Sequence, residues 1–239
     1  MQTLIIPDIH TYHTWIEDFL EKTPHDRVVF LGDYFDDFTD TVQSNVDTAN
    51  WLVQSLDKPN RTHLIGNHDL GYLCAFYHNW CSGWEEEKYR SLIQLLNPNW
   101  NRLNFATTVD GMLLTHAGVH SCWLGRWTDD EKNLFIQADD IEHYLNNYKS
   151  DVIGCGAARG VICSYDGLRS WAPRKGVYGG CLWLDWRNLS EDKEESVPFQ
   201  IVGHTPGSVP RETDHAICMD VKGLVMEVTD SQTWKYLWR

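Results

Sequence analysis

The chain has no Cys-x-x-Cys pair, and its seven cysteines are scattered and odd in number. Such spacing builds neither a disulfide framework nor a structural zinc cluster, and it fits a reducing compartment. No apolar run approaches the roughly 20 residues of a membrane span. The apolar start, Leu4 to Ile6, is too short for a cleavable leader, and cleavage would remove Asp8. A cytoplasmic protein is therefore expected. Positive charge is scarce: 20 Lys and Arg stand against 34 Asp and Glu, a formal net charge of -14. Extended binding along a nucleic-acid backbone rests on basic side chains that neutralise phosphates, so that class is excluded, although a nucleotide or a strand end is not. No repeat, low-complexity tract or linker divides the sequence. With 239 residues, 42% of them hydrophobic, a single domain over 1–239 is expected. The acidic runs EEEK at Glu85 and EDKEE at Glu191 read as solvated faces.

Against these absences stand five short islands of metal-binding side chains: PDIH (Asp8, His10), GDYFDD (Asp33, Asp36), GNHD (Asn67, His68, Asp69), THAG (His116) and GHTP (His204). Asp, Asn and His are the oxygen and nitrogen donors that suit Mn, Fe, Zn or Ni. Each island follows a short apolar run: Leu4 to Ile6, Val28 to Leu31, Leu64 and Ile65, Met112 to Leu114, and Ile201 and Val202. Such runs, stopped by Gly, Asn or Asp, read as buried strands. In open α/β sheets ligands gather at the carboxyl ends of strands, so five strand ends aim polar groups at one rim.

Helices fit between the strands. Val42, Val46, Ala49, Val53 and Leu56 recur at helical spacing behind the caps Thr39 and Asp40, and Trp15, Ile16, Phe19 and Leu20 make a similar face. The opening half thus reads as βαβαβ. Asn104 to Val109, the turn Asp110-Gly111 and Met112 to Thr115 read as a hairpin. Further strands near 216–220, 224–228 and 234–237 point to a second, mixed sheet.

The ordered series DxH, GDxxD, GNHD, H and GH resembles the motifs of the calcineurin-like metallophosphoesterases. The likeness runs from Asp8 to His204 and is closest to the protein-phosphatase-like and bis(nucleosyl)-tetraphosphatase-like branches and to small phage or bacterial members. It implies an α/β fold, a sandwich of two mixed β-sheets flanked by helices. It also implies two divalent ions, Mn first, with Fe, Zn or Ni as alternatives. By the same resemblance Asp8 and His10 bind one metal, Asp33 bridges both, and Asn67, His116 and His204 bind the second. A carboxylate can bridge two cations roughly 3.5 to 4 Å apart, so that they share a hydroxide and clamp a phosphoryl group. Many relatives end in GHxH, whereas Pro206 stands at the second His position. The first metal then keeps three protein ligands. His68 is implied as general acid at the leaving oxygen, with Asp36 on its other ring nitrogen; such help is worth roughly 100- to 10,000-fold. Asp69 is expected to fix the loop.

Two departures bear on substrate. Where related phosphatases carry an Arg that forks onto phosphate, this chain has Asp37, followed by Phe38. The absence of bidentate guanidinium contact weakens the phosphoprotein reading unless Arg159, Arg169, Arg174 or Arg187 supplies it, and of these Arg187 is favoured for its place in CLWLDWRN. His120 in THAGVH is a further candidate for substrate contact. Segments 78–102 and 128–187 lie outside the motif skeleton and carry many aromatics, so they are expected to set specificity, although each Trp is first a core residue. His13, His25, His63, His78, His143 and His215 read as structural. The expected activity is divalent-metal-dependent hydrolysis of phosphate monoesters (phosphoprotein or nucleotide) by metal-activated water. The alternatives are a phosphodiesterase or dinucleoside-polyphosphate hydrolase and, from another class, a non-catalytic binding scaffold.

Overall fold

Three short apolar runs begin the fold of this computed structural model, which describes residues 1–77, 81–124, 137–156, 160–164, 178–192, 197–230 and 233–239. Strands β1 (Thr3–Ile6), β2 (Arg27–Phe30) and β3 (Arg61–His63) pair in parallel. Helix α1 (Ile16–Lys22) and helix α2 (Val42–Leu56) cross between them, as the βαβαβ pattern requires. Strands buried on both faces carry continuous apolar runs, and Leu4, Ile5, Ile6, Val28, Val29 and Phe30 are all buried.

The hairpin of β4 (Ala106–Val109) and β5 (Met112–Thr115) opens a second sheet. Its turn residues Asp110 and Gly111 both have positive φ, the backbone that a two-residue hairpin demands. β6 (Gln200–Val202) and β8 (Ala216–Cys218) continue in parallel from β5, and β7 (Arg211–Glu212) closes the edge antiparallel, giving the order β4-β5-β6-β8-β7. β9 (Leu224–Asp230) and β10 (Thr233–Trp238) depart from expectation: they return to the first sheet, whose order is β10-β9-β1-β2-β3. Both sheets are mixed and five-stranded, with flanking helices, the sandwich that the family resemblance implies.

Strand alternation divides the core into layers. Ile5, Val29, Leu114, Ile201, Ile217 and Met226 fill the space between the sheets. Leu4, Ile6, Val28 and Phe30 face the helices, against Ile16, Leu20 and Leu52. On the far side, Leu189 of the helix Trp186–Glu191 packs with Val202, Ala216 and Cys218.

Helix α2 differs from its predicted stripe. It is capped by Thr41, in a reciprocal pair with Ser44, and its most buried face carries Asn45, Thr48, Ala49, Trp51, Leu52 and Ser55. Val42, Val46, Val53 and Leu56 are half-buried. The helix turns its polar residues inward because each has a partner there: Asn45 holds the Asp36 backbone and Asp40, Thr48 meets His13, and Ser55 meets His63. Buried polar groups with partners cost far less than orphaned ones. None of the seven cysteines forms a disulfide, and no described helix is long and apolar enough to cross a membrane.

Candidate metal centre

Every island lies where a strand ends. Asp8 and His10 follow β1, Asp33 and Asp36 follow β2, His116 follows β5 and His204 follows β6, while Asn67 opens helix α3 (Asn67–Leu73) shortly after β3. The loops are tightly wound. His10, Asp33, Asp36 and His204 all have positive φ, a backbone rarely adopted outside glycine and characteristic of strained functional loops. Two motif glycines allow the loops to meet: a Cβ on Gly66 would stand 2.0 Å from Asp33 Oδ1, and one on Gly203 would stand 2.0 Å from Asp8 Oδ1. Asp69 ties the loops together, since its carboxylate accepts from the backbone N–H groups of Asp33 (2.9 Å), Tyr34 (2.8 Å) and Gly66 (2.7 Å).

Two donor sets result, and they share Asp33. One comprises Asp8, His10 and Asp33, the other Asp33, His116 and His204, with the donor atoms of each set within 4.8 Å of one another. The hydrogen bonds around them settle which atoms face inward. His10 Nδ1 donates to the carbonyls of Asp36 (2.7 Å) and Phe35 (3.1 Å), which leaves Nε2 toward Asp8 (3.9 Å) and Asp33 (3.8 Å). His116 Nδ1 donates to the Leu31 carbonyl at 3.0 Å. Its Nε2, the atom free to ligate once deprotonated, therefore faces Asn67 Oδ1 (2.9 Å), His204 Nδ1 (3.1 Å) and Asp33 Oδ2 (3.4 Å). Asn67 Nδ2 donates outward to Cys81 Sγ at 3.3 Å, so its Oδ1 is fixed inward, 2.8 Å from His204 Nδ1. Four possible ligand atoms thus converge on one point, a place that a cation can take once the His116 proton leaves. Backbone carbonyls fixing the outer nitrogens of such histidines are typical supports of metal ligands.

Electrostatics agree. Burial, followed by the charge of Asp220, raises the Asp8 carboxyl well above the usual range. Burial opposes the His116 imidazolium, yet Asp33, Asp8 and the Leu31 carbonyl together more than compensate and lift it to about 9; His10 is raised by Asp33 and Asp8 in the same way. The protons these histidines hold stand where a cation would, and the donor set fits divalent ions of borderline hardness once they leave.

Beside the two sets opens a cavity of about 550 Å³, lined among others by His10, Asp33, Asn67, His68 and His204. His68 Nδ1 lies 3.1 Å from Asp36 Oδ2, which leaves Nε2 for the cavity. Asp37 also lines it, with its Oδ1 accepting from the Phe38 N–H. Arg187 does not line it: its side chain is exposed and pairs with Glu191 at 3.5 Å along its own helix. His120 is likewise elsewhere, its ring stacked on Tyr178 at 3.7 Å. His78, Trp80, Trp127, Arg159, Arg169, Trp171 and Arg174 lie outside the described residues. Among the described residues no tryptophan lines the cavity; Trp183 is buried and packs its ring on His204 at 6.0 Å.

Several lining residues lie outside the site that the sequence predicts, Asp220 and Lys88 among them. Asp220 lies just beyond β8 in AICMD, where the strand-end rule that found the other islands also applies. Lys88 belongs to EEEK, expected to be solvated, yet it is 2% exposed and reaches Asp36 and Asp40 from helix α4 (Glu86–Leu96). Asp40, expected as cap or surface, is consequently half-buried in the same cluster.

The chain belongs to the calcineurin-like phosphoesterase family, which matches residues 1–217, and it is a metal-dependent phosphoric ester hydrolase. No curated protein matches it in sequence. Among solved structures, a cold-active protein-tyrosine phosphatase of the psychrophile Shewanella is similar, with a TM-score of 0.57 and 15% identity over 99% of this chain and 80% of that one. A protein serine/threonine phosphatase of Saccharomyces cerevisiae gives a TM-score of 0.55 and 14% identity, covering 99% of this chain and 79% of its own. At such identities the likeness concerns the fold.

Proposed function

We propose that the chain hydrolyses phosphate monoesters, of phosphoproteins or nucleotides, at a dinuclear centre held by Asp8, His10 and Asp33 on one side and Asp33, Asn67, His116 and His204 on the other. The observation that carries this reading is the pair of donor sets sharing Asp33, with His68 on the wall of the same cavity. Manganese is the preferred ion, and two per chain are expected. When bound, the cations supply Lewis acidity toward phosphoryl oxygens and a water acidic enough to attack near neutral pH. The protein's own work is different. The donor loops fix the phosphate's place, and His68, held through Nδ1 by Asp36, presents Nε2 to the leaving group. As water attacks phosphorus and the ester P–O bond breaks, the Nε2 proton passes to the departing oxygen. The residues act within a single domain in the cytoplasm.

A second reading, hydrolysis of diesters or dinucleoside polyphosphates, gains from one observation: no described arginine lines the cavity, and Asp37 does. A carboxylate opposes a monoester dianion more than a diester monoanion. Specificity constants for nitrophenyl monoester and diester, a phosphopeptide and a dinucleoside tetraphosphate, each with Mn, Ni and Zn, decide between them. Preference for the monoester and phosphopeptide supports the first reading. A reversed order gives the second.

A further inference from the structure

Lys88 does work that the family motifs do not describe. Its side chain is 3% exposed, and Nζ donates to Asp36 Oδ1 at 3.2 Å, to both oxygens of Asp40 at 2.9 and 2.8 Å, and to the Gly83 carbonyl at 2.8 Å. An ammonium has three N–H donors, and three groups already take them. Lys88 is the one Lys or Arg that lines the cavity among the described residues, but it is committed to the protein and not to substrate.

Its effect falls on the orientation of Asp36. A carboxylate can turn about its Cβ–Cγ bond and exchange its oxygens. Here Tyr72 OH, at 2.6 Å, and Lys88 Nζ both hold Oδ1, so Oδ2 remains for His68 Nδ1 at 3.1 Å. The neighbouring segment blocks the other escape. Gly83 has φ +94°, and a Cβ there would lie 2.9 Å from Asp36 Cβ, so this backbone presses directly on the acid. Charge points the same way: Asp36 is 4% exposed, and a buried carboxylate without a paired cation is costly.

We propose that Lys88 is a positioning residue for the acid dyad: it fixes Asp36 so that Asp36 in turn fixes His68, and the stretch from Ser82 to Lys88 thereby contributes to proton donation as well as to the pocket wall. The inference rests on His68 being the proton donor. It predicts that loss of Lys88 harms esters according to how much their leaving group needs a proton. A nitrophenolate leaves with little help, whereas an alkoxide does not.

The test uses the full chain loaded with Mn, with p-nitrophenyl phosphate and glycerol 2-phosphate as substrates and elemental analysis of each variant. Lys88→Met should lower kcat for glycerol 2-phosphate by about tenfold or more while nitrophenyl turnover falls less than about threefold, part of the roughly 100- to 10,000-fold that general acid help supplies in full. KM and metal content should stay near wild type, and Lys88→Arg should recover part of the loss. In a His68→Asn background, Lys88→Met should add nothing further. Equal losses on both esters, or the same loss with and without His68, would show Lys88 to be a structural support and overturn the inference. If His68→Asn itself leaves the ester ratio unchanged, the acid reading falls and the inference falls with it, a failure visible in that variant alone. Should Lys88→Met not fold, Lys88→Met with Asp40→Asn removes the cation together with one charge that it neutralises, and Tyr72→Phe removes the other Oδ1 contact. The same outcomes then apply.

Discussion

His63 should make the fold sensitive to mild acid, by an amount that follows from its surroundings. The ring is 1% exposed, stacked on Phe30 at 4.3 Å, with Nδ1 at 3.0 Å from Tyr34 OH and Nε2 at 3.0 Å from Ser55 Oγ. Burial first, and then the Arg61 guanidinium, depress it to about 3. In the unfolded chain the same group titrates near 6.5. Between these values the unfolded chain binds a proton that the folded protein refuses, so stability falls as pH drops through 6.5 toward 3 and is unaffected above that window. At pH 5 the unfolded form gains RT ln(1 + 10^1.5), about 2 kcal/mol, against less than about 0.1 kcal/mol at pH 7.5. The 2 kcal/mol holds for any folded value well below 5. Urea unfolding of metal-free wild type and His63→Gln at both pH values is the assay. His63→Gln will be less stable at pH 7.5, because Gln stacks poorly on Phe30, but its further loss at pH 5 should be smaller than that of wild type by about 2 kcal/mol. Differences cancel the titration of the other groups. Identical losses in the two proteins would refute the buried, neutral assignment.

Metal binding should release protons: His116, raised to about 9 by Asp33 against the effect of burial, must lose its proton to ligate, so apparent affinity should climb as pH rises toward 9. Calorimetric heats that do not depend on the buffer's ionisation enthalpy would contradict this. Gly66→Ala would place a Cβ 2.0 Å from Asp33 Oδ1. It should weaken metal binding by about 10- to 100-fold, with the circular dichroism of the fold retained; unchanged metal affinity would show that Asp33 can move at no cost. Asp37→Arg should raise the ratio of monoester to diester specificity constants by about tenfold to a hundredfold. An unchanged ratio with metal intact would place Asp37 away from the phosphate.

The islands were legible because each is a local signal, an apolar strand stopped by Gly, Asp or Asn and followed by a donor. Their strand-end placement needs no knowledge of distant partners. Asp220 carried the same signal but was absorbed into a predicted strand, which ends two residues earlier at Cys218. Lys88 could not be read, since a Lys in an acidic run is ordinarily solvated. Its burial arises where helix α4 packs on α2 and meets Asp36 and Asp40, residues about fifty positions earlier in the sequence. The inward polar face of α2 was hidden for the same reason, because Asn45, Thr48 and Ser55 are buried by partners and not by their own hydrophobicity. β9 was recognised as a strand, yet its pairing with β1 depends on a contact between the two ends of the chain. The sequence setting of Arg187 suggests a phosphate contact, but helix position sends its side chain to solvent.

Hydrolysis should need metal bound by Asp8, His10, Asp33, Asn67, His116 and His204. Elemental analysis and p-nitrophenyl phosphate turnover, measured on one chelated sample before and after titration with Mn, test this most directly. Chelation should abolish turnover, which should return in step with uptake of two metal equivalents per chain, and Asp33→Asn should lose both. Full turnover in a sample that elemental analysis shows to be metal-free would contradict the account.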